Sequence, residues 1–111
     1  MVLHDLREGS PTDGVTLDLE IGDRNEQGVY IPPGVALGFA ALTDLPITYL
    51  VDQYYGPDDE LGVAWDDPDV AAGWAVDDPV LSRRDQSNPR RADIPPGARP
   101  LLGPGPELPV T

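Results

Sequence analysis

Fourteen prolines and twelve glycines are spread through only 111 residues, and this spacing constrains the fold more than any other feature. Proline removes a backbone donor and blocks a helix interior, and glycine weakens one. Little room is left for a long helix, so the chain favours short strands joined by tight turns. A chain of this length makes one small domain, burying roughly two-thirds of the surface its unfolded form exposes. Hydrophobic residues make up 40% of it, enough for a core.

The strands can be placed by periodicity. Val15, Leu17, Leu19 and Ile21 alternate with Thr16, Asp18 and Glu20, the period-two pattern of a half-buried strand. A turn follows at Gly22-Asp23-Arg24-Asn25, and Gly28 to Ile31 reads as a second strand stopped by Pro32-Pro33-Gly34. Val35 to Leu42 is continuously apolar and suits a fully buried strand. Leu45 to Val51 forms another after the turn at Thr43-Asp44, and Val2 to Arg7 could open the sheet. Short strands at this spacing predict an all-β sandwich or barrel. Beyond Tyr55 the chain becomes acidic and turn-rich, and from Pro95 it loses periodicity. The predicted division is a domain over residues 1–89 and a Pro/Gly-rich tail over residues 90–111, mobile or loosely docked.

A net charge of −13 excludes nucleic acid as a natural partner, because binding a polyanion takes clustered Lys and Arg. The absence of cysteine excludes disulfides and thiolate metal sites and fits a reducing compartment. Neither a basic leader with an apolar run nor a membrane-length apolar stretch is visible, so a soluble, cytoplasmic protein is expected. His4 is the one histidine, too few for a multi-histidine metal site, so no metal cofactor is expected.

Four ordered segments resemble the dTDP-4-dehydrorhamnose 3,5-epimerases, cupin-type enzymes acting on 4-keto-6-deoxyhexoses. They are Asp5-Leu6-Arg7 through Ser10-Pro11-Thr12; Tyr30-Ile31-Pro32-Pro33-Gly34 closed by Gly38-Phe39; and Tyr49 with Tyr54-Tyr55-Gly56-Pro57 and Glu60. The last runs from Trp65-Asp66-Asp67-Pro68 through Trp74 to Leu81-Ser82-Arg83-Arg84-Asp85. Isolated, an Ile-Pro-Pro-Gly is a weak signal; four segments in series are a strong one. The resemblance covers Val2 to Asp85 but only about the second half of a family member. It implies a cupin jelly-roll β-sandwich missing its N-terminal strands.

It also implies a chemistry. A proton alpha to the C4 ketone is removed and returned on the opposite ring face, which needs a base, an acid and a stabiliser for the enolate oxygen. By resemblance Tyr49 is the acid, and a phenol stays protonated near neutral pH. Asp85 matches the aspartate that orients a histidine base. Glu60 and Arg84 match positions contacting the nucleotide, and an arginine fork suits pyrophosphate oxygens. Tyr55 lies beside the mouth of the site, where it could stack or simply pack. From the residues alone, Tyr49 reads first as an amphipathic core residue on a strand, and Asp85 as a cap or solvated turn residue.

Three departures matter. The family's Arg-Gly-x-His-x-Gln strand, which supplies the base, has no counterpart. The chain contains no lysine to steady the enolate, and Leu37 stands where the family loop carries histidine. His4 beside Asp5 suggests a dyad, but neighbouring strand residues point to opposite faces, so His4 reads as an ordinary surface or edge histidine. The expectation is an epimerase-family chain, taking a dTDP-4-keto-6-deoxyhexose, inactive as this truncated piece. The alternatives are a non-catalytic binding or assembly module pairing with a full-length epimerase, or a degenerate remnant. An incomplete jelly roll exposes an apolar sheet face and open edges, so a homo-oligomer or pairing with another epimerase chain is expected.

Overall fold

The computed structural model describes residues 1–54, 56 and 61–103. Among the described residues the regular structure is strand plus one 3-10 turn, an all-β arrangement. Strand β1 (Val2–Asp5) lies between β2 (Thr16–Asp18) and β3 (Val35–Gly38), both antiparallel to it, in one sheet of order β2-β1-β3. The 3-10 turn, η1, spans Arg91–Asp93.

Register decides which side chains share a face, because residues directly opposite in an antiparallel pair project to the same side. Val2 pairs with Asp18 and Gly38, and His4 with Thr16 and Ala36. Residues 64–91 cover this face. A Cβ on Gly38 would meet the Trp74 ring at 2.7 Å, the Gly73 amide donates to Asp18, and Thr16 donates to the Val70 carbonyl. Among the described residues the buried apolar core is correspondingly small: Val2, Leu6, Ala64 and Val70. On the opposite face Leu3 pairs directly with Leu17 on one side and Leu37 on the other. Leu17 and Leu37 are each 49% exposed, so an apolar row crosses the whole sheet uncovered.

Three predicted strands form close to where periodicity places them, but shorter. Val35–Gly38 is half-buried to exposed rather than fully buried, since only one face of the sheet is covered. The strands predicted at Gly28 to Ile31 and Leu45 to Val51 are absent, and every residue from 41 to 54 is exposed. A strand needs a neighbour to accept its amides, and no further strand stands beside β2 or β3 among the described residues.

Turn chemistry follows the glycines where φ is positive. Gly34 (φ 90°) ends the Pro-Pro-Gly corner, with the Val35 amide donating to the Pro32 carbonyl. A Cβ there would lie 2.5 Å from Arg7 Cγ. The Pro/Gly-rich stretch after residue 89 is tied back to the sheet region. The Glu8 amide donates to the Pro100 carbonyl, and the Leu102 amide donates to the Glu8 carbonyl. Arg99 reaches the Leu6 carbonyl and pairs with Asp13.

Candidate functional site

Two polar networks meet at the adjacent residues His4 and Asp5. The Asp5 carboxylate is 5% exposed and accepts five hydrogen bonds from a single turn. Arg7 supplies its amide, Nε and a terminal guanidinium nitrogen, each at 2.9 Å; the Ser10 and Thr12 hydroxyls donate at 2.6 Å. Arg7 foremost, then the two hydroxyls, hold the Asp5 carboxyl far below the usual carboxylate range against the opposing effect of burial. Asp-x-Arg-x-x-Ser-x-Thr is therefore a carboxylate cage that folds the turn onto the end of β1. With every donor local and the charge satisfied, Asp5 orients no histidine.

His4, 2% exposed, is corrected from a surface or edge histidine to the most buried large side chain of the central strand. Its Nε2 lies 2.8 Å from an Arg91 guanidinium nitrogen and its Nδ1 2.8 Å from Thr16 Oγ1. A guanidinium has only donors, so Nε2 must accept; the neutral ring then carries its proton on Nδ1 and donates to Thr16, which donates onward to the Val70 carbonyl. Burial, then the Arg91 charge, lower the imidazole pKa, with Asp67, Asp5 and Asp13 opposing. A ring whose one lone pair is engaged by arginine cannot take a proton from substrate without breaking that contact. His4 is not placed as a catalytic base.

Arg91 knits distant segments together. Its guanidinium also donates to the Asp5 carbonyl and pairs with Asp13, and its amide donates to Asp67 Oδ2 at 2.6 Å. Asp67, 2% exposed, additionally caps its own turn by accepting the Asp69 amide. Asp13 receives both Arg99 and Arg91, which lower its pKa in that order.

The residues singled out by resemblance lie elsewhere. Tyr49 is 78% exposed, on irregular backbone rather than a strand. Asp85 is half-buried in the turn over residues 83–87, its amide donating to Ser82 Oγ. Arg84 shares that turn, its carbonyl accepting the Ser87 hydroxyl. No hydrogen bond joins Tyr49 to Asp85. Tyr55 and Glu60 fall outside the described residues. One open cleft of ≈ 270 Å³ is lined by Trp65, Asp66, Asp67, Pro68, Trp74 and neighbours, and Tyr49, Arg84 and Asp85 are not part of it. No group of three or more His, Asp or Glu that could hold a metal occurs among the described residues.

The family model for dTDP-4-dehydrorhamnose 3,5-epimerase matches residues 1–93, through both networks and as far as η1. The chain belongs to the dTDP-4-dehydrorhamnose 3,5-epimerase family. It is 37% identical over 87 residues to the dTDP-4-dehydrorhamnose 3,5-epimerase of Methanothermobacter thermautotrophicus, covering 75% of this chain and 47% of that protein. It is 33% identical over 91 residues to the Pseudomonas aeruginosa 3,5-epimerase, covering 80% and 50% respectively. A Streptomyces niveus dTDP-4-dehydrorhamnose 3-epimerase is 40% identical over 86 residues, covering 77% and 42%. The chain thus spans about half the length of the curated relatives it matches. No solved structure gives a significant match. No helix among the described residues is long and apolar enough to cross a membrane.

Proposed function

We propose that this chain supplies the proton-donor portion of a dTDP-4-dehydrorhamnose 3,5-epimerase, or of a sibling deoxysugar epimerase, in a cupin jelly roll. The observation that carries the reading is the family match over residues 1–93, which takes in Tyr49 and Asp85. In this reading Tyr49 returns the proton to C3 or C5 of a dTDP-4-keto-6-deoxyhexose, and Asp85 orients a histidine base. Arg84, Glu60 and Tyr55 hold the nucleotide. The strong exposure of Tyr49 suits a group that must face substrate.

The base and the enolate stabiliser come from polypeptide other than these 111 residues. Lysine is absent here, and the single histidine is engaged by Arg91. We place that complementary polypeptide on the uncovered Leu17–Leu3–Leu37 row. Covering a half-exposed leucine contributes roughly 1 kcal/mol. A net charge of −13 opposes stacking a second copy on the same face. The setting is cytoplasmic in this proposal. Leu37, on the apolar row, also supports the alternative of a non-catalytic assembly module pairing with an intact epimerase.

Mixing the purified chain with the N-terminal half of a family member, followed by sedimentation, tests the docking. A one-to-one complex is expected, weakened at least tenfold (about 1.4 kcal/mol) by Leu37→Asp. Equal association of the wild type and the variant would rule out this face.

A further inference from the structure

We propose that His4 is the pin of a pH-sensitive latch that holds the C-terminal strap, residues 90–102, against the sheet and releases it when the imidazole is protonated. The proposal does not rest on the epimerase reading.

The geometry has three parts. First, the imidazole is enclosed at the centre of the sheet, and both nitrogens are used: Nδ1 on Thr16 and Nε2 on Arg91. Second, at the Nε2 contact the strap's Arg91 guanidinium meets an uncharged acceptor that can itself take up a proton. Protonation turns that acceptor into a donor and sets two cations within hydrogen-bonding distance. Third, Arg91 opens the strap. Its amide is held by Asp67, its guanidinium by Asp13 and the Asp5 carbonyl, and η1 begins at this residue. Displacing the guanidinium therefore strains the contacts that locate η1. Beyond it, among the described residues, the strap returns to the sheet region through Arg99, on Asp13 and the Leu6 carbonyl, and through Glu8 with Pro100 and Leu102.

The charged groups facing His4 come from every side. Asp5 follows it on β1, Asp13 lies in the turn before β2, Asp67 sits in the covering segment and Arg91 on η1; the paired positions Thr16 and Ala36 are uncharged. The three carboxylates favour the imidazolium, but each is already committed. Asp5 is caged by Arg7, Ser10 and Thr12; Asp13 is shared by two arginines; Asp67 is bonded by two amides. Burial and Arg91 prevail, and the imidazole pKa is lowered. A lowered pKa in the closed form is the thermodynamic image of a latch that protonation opens. The strap also walls a cleft of ≈ 360 Å³ lined by Glu8, Asp69, Arg91, Ile94, Pro96 and Arg99, and release widens it.

Because the chain has one histidine, its imidazole resonance can be followed by proton NMR beside amide hydrogen exchange in the same sample. The reporters are the amides of Asp93, Ile94, Ala98 and Leu102, all hydrogen-bonded in the closed strap. Their protection is expected to fall by about tenfold per pH unit below pH ~6.5, levelling off where the folded-state imidazole titrates. The β1 amides Leu3 and Asp5 should keep theirs. His4→Gln, whose amide can still donate to Thr16 and accept from Arg91, should remove the pH slope. The same slope in His4→Gln would overturn the latch, as would a folded-state imidazole titrating at or above its ordinary value. Should His4→Gln not fold, the wild-type curves decide. Strap protection levelling at the imidazole midpoint supports the latch, and strap protection that ignores it refutes it.

Discussion

Removing the Asp5 carboxylate should cost this chain most of its stability. Asp5→Ala leaves the Ser10 hydroxyl, in a buried residue, and the Thr12 hydroxyl without their acceptor, and it strips Arg7 of a bidentate partner. A buried hydroxyl left unsatisfied costs about 1–3 kcal/mol, and breaking a buried ion pair by deleting one partner costs about 3–5 kcal/mol. These terms overlap, since all five bonds end on one group, so about 3–5 kcal/mol is the expected total. A whole domain has only ~5–15 kcal/mol, and one with so small a core belongs at the low end. Trp65 and Trp74 pack in the segment covering the sheet, with Trp74 Nε1 donating to the Trp65 carbonyl, so tryptophan fluorescence during urea unfolding reports the fold. Asp5→Ala should show no cooperative transition. Asp5→Asn, which keeps the shape, should lose about 2 kcal/mol, and Thr12→Val about 1 kcal/mol. An Asp5→Ala midpoint close to the wild type would show that the cage does not hold the fold.

Four further outcomes follow from the same geometry. Gly34→Ala combines a positive φ with a Cβ pressed on Arg7 and Pro100, so thermal unfolding should shift down by about 1–3 kcal/mol, whereas Gly103→Ala, in open space, should be neutral. Acid stability should fall below pH ~4: the folded-state pKa values of Asp5, Asp13 and Asp67 are all lowered, so the unfolded chain takes up protons first and stability is lost as pH drops, readable as a falling urea midpoint. A Leu17→Asp chain should fold with about the wild-type midpoint, because that side chain is half-exposed on an edge strand, yet lose binding to the complementary half. Within an assembled epimerase, Tyr49→Phe should lower epimer formation by about 10²–10⁴-fold while leaving the fold unaltered, as circular dichroism would show.

The sequence carried the sheet where neighbours in the chain are neighbours in space. Val2 to Arg7, Val15 to Ile21 and Val35 onward contain the three strands, because alternation and the Pro-Pro-Gly corner act locally. It misplaced Leu45 to Val51 because periodicity reports how a strand would pack, not whether a partner exists. The Asp5 cage was legible in principle: an aspartate followed by donors at +2, +5 and +7 can satisfy itself within one turn. The burial of His4 was not. Its polar partners Thr16 and Arg91 lie 12 and 87 residues away, and only the register of β1 with β2 and the return of the strap bring them together. Tyr49 and Asp85 are singled out by resemblance alone, since an exposed tyrosine and a turn aspartate carry no local sign of chemistry.

In the proposed function this chain carries the acid of an epimerase whose base lies on other polypeptide. Incorporation of solvent deuterium alpha to the ketone of a dTDP-4-keto-6-deoxyhexose tests it most directly. The purified chain should give no incorporation above the uncatalysed background, and adding the complementary N-terminal half should restore it. Incorporation catalysed by the 111-residue chain alone would overturn the proposed function, because it would require a base that the Arg91-bound His4 cannot be.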